Sequence, residues 1–180
     1  MVDVRKSWDK IAGPYRKRYE ISTDVVHYGP LCPGEDKLHL LGEIEGESVI
    51  DLGCGGGQNA IALSRMDTKV TAVDFSHEQI RLAENLASDH NVAIDFITGE
   101  ISDLSFLPDS GFDLAISACA IAYVEDIESA FAEVFRILKP GGKFILSDMN
   151  PLQYIIDEIE ASVEFNHIYP YEPILLKWHW

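Results

Sequence analysis

Seven consecutive residues, Asp51-Leu52-Gly53-Cys54-Gly55-Gly56-Gly57, hold most of what this sequence offers toward chemistry. Four glycines in five positions separate a short apolar run from a segment that begins a helix near Gln58. Glycine there permits a tight turn and keeps side chains out of the way, so that N–H groups at the start of the helix can meet a polar ligand. Alone, a glycine-rich turn is weak evidence, because ordinary turns use the same residue. Asp74 strengthens it. Its carboxylate closes the next apolar run, 19 positions after Gly55, where a nucleoside-binding α/β unit accepts hydrogen bonds from both ribose hydroxyls.

The glycine spacing bears on which nucleoside. A dinucleotide fingerprint needs G-x-G-x-x-G; counted from Gly53 its last position is Gln58, and counted from Gly55 it is Ala60, a variant some cofactor sites tolerate. Asp51 opens the loop with a charge that repels a pyrophosphate but pairs with the ammonium of an amino-acid moiety. A dinucleotide therefore fits poorly. Cys54 reads as a small residue filling the loop and not as a nucleophile, since no His or Lys beside it in sequence lowers its pKa.

Positioning these residues requires strands that end together. Five are predicted: residues 48–52, 69–73, 93–97, 112–117 and 143–147, alternating with helical patterns, the mark of a parallel sheet covered on both faces. Ser76 precedes Gln79 as in a capping box, and Ile80, Ala83 and Ala87 then share one helix face. Ile127, Phe131, Val134 and Leu138 form an apolar stripe on a later helix, which Pro140-Gly141-Gly142 should stop. Upstream, Trp8, Ile11, Tyr15 and Tyr19 fall at helical spacing, with Gly13-Pro14 expected to break or kink the segment. Residues 22–47 contain a Pro/Gly loop from His27 to Gly34 and a short helix around Lys37–Leu41.

Composition narrows the functional classes. The 180 residues suffice for one domain, and 47% hydrophobic with 24% charged residues is a globular composition. A formal net charge of -16 repels a phosphate backbone, so nucleic acid is not an expected partner. Residues 1–20 nevertheless carry six basic against three acidic side chains, which reads first as a solvated helix face and second as a basic arm. Cys32, Cys54 and Cys119 lie far apart without C-x-x-C, indicating reduced thiols, no metal site and a cytoplasmic protein. No membrane insertion is expected, since the longest nearly continuous apolar stretch, Leu114–Val124, is about half a membrane span.

Taken together, these stretches resemble the class I S-adenosylmethionine-dependent methyltransferases, in particular the small-molecule branch of ubiquinone and menaquinone biosynthesis methyltransferases. Val49–Gly57 is similar to the family's first motif and Val73-Asp74-Phe75-Ser76 to its ribose-binding acidic motif. Phe112–Ser117 resembles its fourth strand, and Leu138-Lys139-Pro140-Gly141-Gly142-Lys143 the turn before its fifth. Trp8-Asp9-Lys10-Ile11-Ala12 with Tyr15 resembles the N-terminal segment that covers the cofactor. The resemblance implies a Rossmann-like three-layer α/β/α sandwich with a mostly parallel sheet: a helical cap over 1–47, a cofactor-binding core over 48–149, and a C-terminal helix and tail over 150–180, all in one domain.

For the site, the resemblance implies that S-adenosyl-L-methionine meets Gly53, Cys54 and Gly55 along its methionine part, with Asp51 at the amino group and Asp74 at the ribose. Phe75 would flank the adenine, with Glu100 and Ile101 near the adenine amino group, where the family often has Asp-Ala. Ala118 would lie near the methionine moiety and Tyr15 would close over it. Methyl transfer is an in-line displacement needing no fixed base, and among His27, His167, Tyr123 and Asp148 none stands out as a proton acceptor.

The last 31 residues depart from the family, whose sheet continues through a helix and two further strands. Here Leu152–Val163 can form the helix and Ile174–Trp180 one strand at most, so a truncated chain, incomplete C-terminal strands and a homodimer through an exposed sheet edge are expected. Three functions follow: a methyltransferase acting on a small-molecule acceptor, a non-catalytic cofactor-binding module working through a partner, and, less favoured, a nicotinamide-dependent oxidoreductase.

Overall fold

A computed structural model describes residues 3–30 and 32–148, which lie in one compact unit. In chain order the elements are α1 (Val4–Arg18), α2 (Glu35–Leu38), β1 (Ser48–Leu52), α3 (Gln58–Ser64), β2 (Lys69–Asp74), α4 (His77–Asp89), β3 (Asp95–Thr98), β4 (Phe112–Ala118), a 3-10 turn (Ile121–Tyr123), α5 (Ile127–Ile137) and β5 (Leu138–Ser147). All five strands are parallel, in the order β3-β2-β1-β4-β5, so the α/β expectation holds and the sheet changes direction of progress between β1 and β4. Ligands of open α/β sheets bind beyond the strand ends at such a switch point.

The strands are apolar on both faces because both are covered. Val49, Val70, Ala72, Leu114 and Ile116 pack with α3 and with Val26, Tyr28, Leu41 and Ile44 of the N-terminal segment. Ile50, Leu52, Val73 and Ala115 point to the opposite face, against Leu104, Leu107 and α5. Truncating a fully buried residue such as Ile50 to Ala would cost about 2–5 kcal/mol. Asp113 ties the lower ends of three strands: its Oδ2 accepts from Ser48 N–H at 2.9 Å and Lys139 Nζ at 2.7 Å. The Lys139 ammonium holds that carboxyl below its ordinary range.

Several boundaries differ from the sequence reading. α1 runs unbroken through Gly13-Pro14. It is held from outside on both sides of the proline, by Asp9 against the start of α4 and by Arg16 donating to Leu82 O at 3.2 Å, and these contacts override the local penalty. On α5 the buried face is Ala130, Val134 and Ile137, while Ile127 and Phe131 are 49% and 42% exposed. The stripe sits one position over because the small Ala130 lets the helix approach the sheet. β5 begins at Leu138 instead of Lys143, since Phe112↔Leu138 and Leu114↔Lys143 both pair and Pro140-Gly141-Gly142 bulges between them. β3 starts two residues late and the short helix falls at Glu35–Leu38. The C-terminal helix, the last strand and the sheet edge expected to dimerise concern residues outside those described. Among the described residues, no helix is long and apolar enough to cross a membrane.

Candidate functional site

β1 and β2 end side by side, with Leu52 paired to Val73, so the glycine loop and Asp74 emerge together. Val73 O accepts from both Gly53 N–H (2.7 Å) and Cys54 N–H (3.0 Å). Gly55 N–H donates to Asp74 Oδ2 at 2.9 Å, and Gly57 N–H to Cys54 O at 2.9 Å. Four amides of the loop, those of Gly53, Cys54, Gly55 and Gly57, are thus engaged within the protein. Beside these amides the loop presents two carboxylates, Asp51 and Asp74, and acceptors of that kind favour ammonium, sulfonium and hydroxyl over phosphate. Gly53 is obligatory twice over: its φ is +75°, and a Cβ there would overlap the Ala120 methyl of the loop after β4.

Two buried acids stand at this loop. Asp74, 6% exposed, also accepts from Ser76 N–H through Oδ1 at 2.9 Å. Burial pushes its carboxyl up to about 6, with Asp9 and Glu100 adding repulsion and the Ser76 and Gly55 amides opposing the shift. Asp51, at the end of β1, is 2% exposed and lifted to about 7, first by burial and then by the Asp74 charge, against a hydrogen bond from Ala60 N–H in the first turn of α3. Its Oδ2 has no hydrogen-bond partner. A carboxylate oxygen buried without a donor is costly, and a ligand ammonium would relieve it.

The remaining residues singled out from sequence gather around these acids in varying degree. Cys54 is buried, and burial followed by the Asp51 charge pushes its thiol up, so the neutral form prevails. Ile101 is a core residue whose Cδ1 would lie 3.7 Å from a Cβ at Gly53. Ala118 ends β4 beside that loop, where Ser117 Oγ donates to Leu52 O at 2.9 Å. Phe75 follows Asp74 half-buried and belongs to neither core cluster. Tyr15 stacks in an aromatic row on α1, 5.5 Å from Trp8 and 4.8 Å from Tyr19 between ring centres. Glu100 is paired through its carboxylate with Arg5 of α1.

Sequence reasoning missed several residues. Asp9, on α1, reaches the start of α4 and accepts from Ser76 Oγ at 2.6 Å. Asn59, buried in the first turn of α3, donates to His27 O (2.9 Å) and accepts from His27 N–H (2.8 Å), pinning the N-terminal loop to the glycine helix. An amide immediately before the apolar run Ala60–Leu63 was the available signal. Of the side chains considered as proton acceptors, His27 has its imidazole pushed down by burial. Asp148 accepts from Ala122 N–H at 2.9 Å beside Tyr123, and His167 lies outside the described residues. No cluster of three potential metal ligands occurs among the described residues.

The methyltransferase-domain family matches residues 44–178. The uncharacterized methyltransferase YbaJ of Bacillus subtilis strain 168 is 30% identical over 131 residues, which cover 71% of this chain and 51% of that protein. A ubiquinone biosynthesis O-methyltransferase of Xanthomonas oryzae pv. oryzae is 31% identical over 108 residues, 60% of this chain and 45% of the relative. Among solved structures, CrArsM, an arsenic(III) S-adenosylmethionine methyltransferase from Chlamydomonas reinhardtii, is 32% identical with a TM-score of 0.55, over 67% of this chain and 46% of that one. The chain spans about half the length of the curated relatives it matches. With about three quarters of its residues matched by one family, and with the parallel strand order that family builds on, the chain belongs to the methyltransferase-domain family, in the S-adenosylmethionine-dependent class I.

Proposed function

We propose that this chain transfers a methyl group from S-adenosylmethionine to a small-molecule acceptor, at the site where β1, β2 and β4 end. The carrying observation is the pair of buried acids, Asp51 and Asp74, beside a glycine loop in which the Gly53, Cys54, Gly55 and Gly57 amides are engaged. Such a lining suits a ligand with an ammonium, a sulfonium and a diol, and disfavours a pyrophosphate-bearing dinucleotide. Asp51 Oδ2 takes the amino group and Asp74 the ribose hydroxyls. Gly53 and Gly55, with Cys54 between them, line the methionine side together with Ala118; Phe75, Glu100 and Ile101 flank the adenine, and Tyr15 covers the pocket from α1.

When bound, the cofactor supplies a methyl carbon already activated by its sulfonium. The chain's contribution is to hold donor and acceptor in line and to exclude water. A small-molecule acceptor is supported by the relative named for ubiquinone biosynthesis O-methylation. Calorimetric titration with S-adenosylmethionine and S-adenosylhomocysteine, with NADH as control, tests the reading. Selective binding abolished in Asp74→Ala supports it, and NADH binding in preference would overturn it. Saturation at a hundredfold over Kd should add about 2.7 kcal/mol of stability, visible as a raised melting temperature.

A further inference from the structure

α1 touches the ends of three strands at once. Asp9 Oδ1 accepts from Ser76 Oγ at 2.6 Å and from Glu78 N–H at 3.3 Å, just beyond β2. Arg5 pairs with Glu100, just beyond β3. Trp8 meets Tyr123, beyond β4, edge to face at 5.6 Å. α1 is thus fastened to α4 and reaches the segments that follow β2, β3 and β4, the strands whose ends carry Asp74 and Ala118.

The fastening at Asp9 is more than a helix cap. Ser76 caps α4 by itself, its hydroxyl oxygen accepting from Gln79 N–H at 3.2 Å. Its backbone N–H meanwhile serves Asp74 Oδ1. Ser76 therefore links two carboxylates, Asp9 on α1 through its hydroxyl and Asp74 through its amide. Bringing those like charges together is unfavourable until a hydroxyl- or cation-bearing ligand sits on Asp74. The Arg5–Glu100 pair is nearly half exposed on both sides, so it contributes little in isolation and opens readily.

We propose that Asp9 and Arg5 are positioning residues that seat α1 across the pocket mouth and thereby set how fast the bound cofactor leaves. The proposal rests on the cofactor reading of the site given above. Occupancy of Asp74 strengthens the seat through Ser76, and the seated helix in turn retards release.

The test is the dissociation rate of S-adenosylhomocysteine from its preformed complex, measured by stopped-flow displacement alongside the melting temperature of the unliganded protein. Asp9→Ala should release the product about tenfold faster, the equivalent of one charge-assisted hydrogen bond, with a smaller change in association rate. Asp9→Asn keeps an oxygen for the Ser76 hydroxyl but loses the charge, and its rate should fall between those of the parent and Asp9→Ala. Arg5→Ala, on the protein surface, should accelerate release about threefold without lowering the melting temperature, as expected for an exposed pair. Unchanged release in both alanine variants would overturn the proposal while leaving the cofactor reading intact. Failure of the parent protein to bind S-adenosylhomocysteine would overturn both.

Discussion

Asp74 and Gly55, 19 positions apart in sequence, hold one another directly: the glycine amide donates to the carboxylate at 2.9 Å, so the acid fixes the loop it shares the site with. Replacing Asp74 with Ala removes the acceptor proposed for the ribose and also leaves the Gly55 and Ser76 amides without theirs. Losing the two hydrogen bonds proposed from the ribose hydroxyls to this carboxylate corresponds to about 3 kcal/mol or more, so affinity for S-adenosylhomocysteine should fall at least about a hundredfold. Calorimetry on Asp74→Ala and Asp74→Asn checks this, with the asparagine variant expected between alanine and the parent.

Two buried acids should contribute to acid titration in the sense opposite to most protein carboxylates. Asp51 and Asp74 are held near 7 and 6 by burial, above the ordinary 3.8 they regain on unfolding. Between those limits these two groups hold more protons in the folded chain than in the unfolded one, so their contribution to stability falls as pH rises from about 4 to about 7. A cationic ligand favours the ionised acids, and its binding should therefore tighten over the upper part of the same range. Denaturant titrations from pH 4.5 to 8, with and without S-adenosylmethionine, measure both slopes.

Asp51→Asn separates the two roles of that side chain. Removing an uncompensated buried charge should raise the melting temperature of the unliganded protein at pH 8, while affinity for S-adenosylmethionine drops. A variant more stable yet weaker in binding is the signature, read by thermal melts with and without ligand.

Gly53→Ala meets both a left-handed backbone and the Ala120 methyl. Denaturation should show a loss of about 1–3 kcal/mol from strain and overlap together. Adding Ala120→Gly relieves the overlap but not the φ of +75°, so the double variant should recover part of the loss.

Cys54→Ala should retain cofactor affinity, and the parent thiol should resist alkylation at pH 7.5, because burial keeps it neutral. Following iodoacetamide labelling by mass spectrometry at each cysteine gives the comparison with Cys32 and Cys119, which are less buried.

The strands and the glycine loop were legible because apolar runs bounded by Gly and Pro depend on local residue choice, and Asp74 because its distance from the loop is set by one βαβ unit. Contacts across elements left no such trace. Nothing near Arg5 or Asp9 announces that they meet Glu100 and Ser76, 95 and 67 positions away. The continuity of α1 through Pro14 was hidden for the same reason, since it is tertiary contact that outweighs the local preference. On α5, Ala130 and Phe131 are both apolar, and only the shape of the sheet decides which of them turns inward.

The central position of β1 has a consequence for the order in which the chain assembles. β1 pairs with β2 across about 20 residues of sequence but with β4, Val49 against Leu114, across 65. Pairings between distant segments form slowly, because a long loop must close before any contact rewards it. On the ribosome, the half-sheet β3-β2-β1 can collapse while β4 is still being made, with both acids already in place. That intermediate leaves the edge of β1 unpaired until the strand that completes the far wall of the candidate site docks on it. Docking of β4 is therefore the step that both pairs that edge and completes the candidate site, so a chaperone that shields the first would also delay the second.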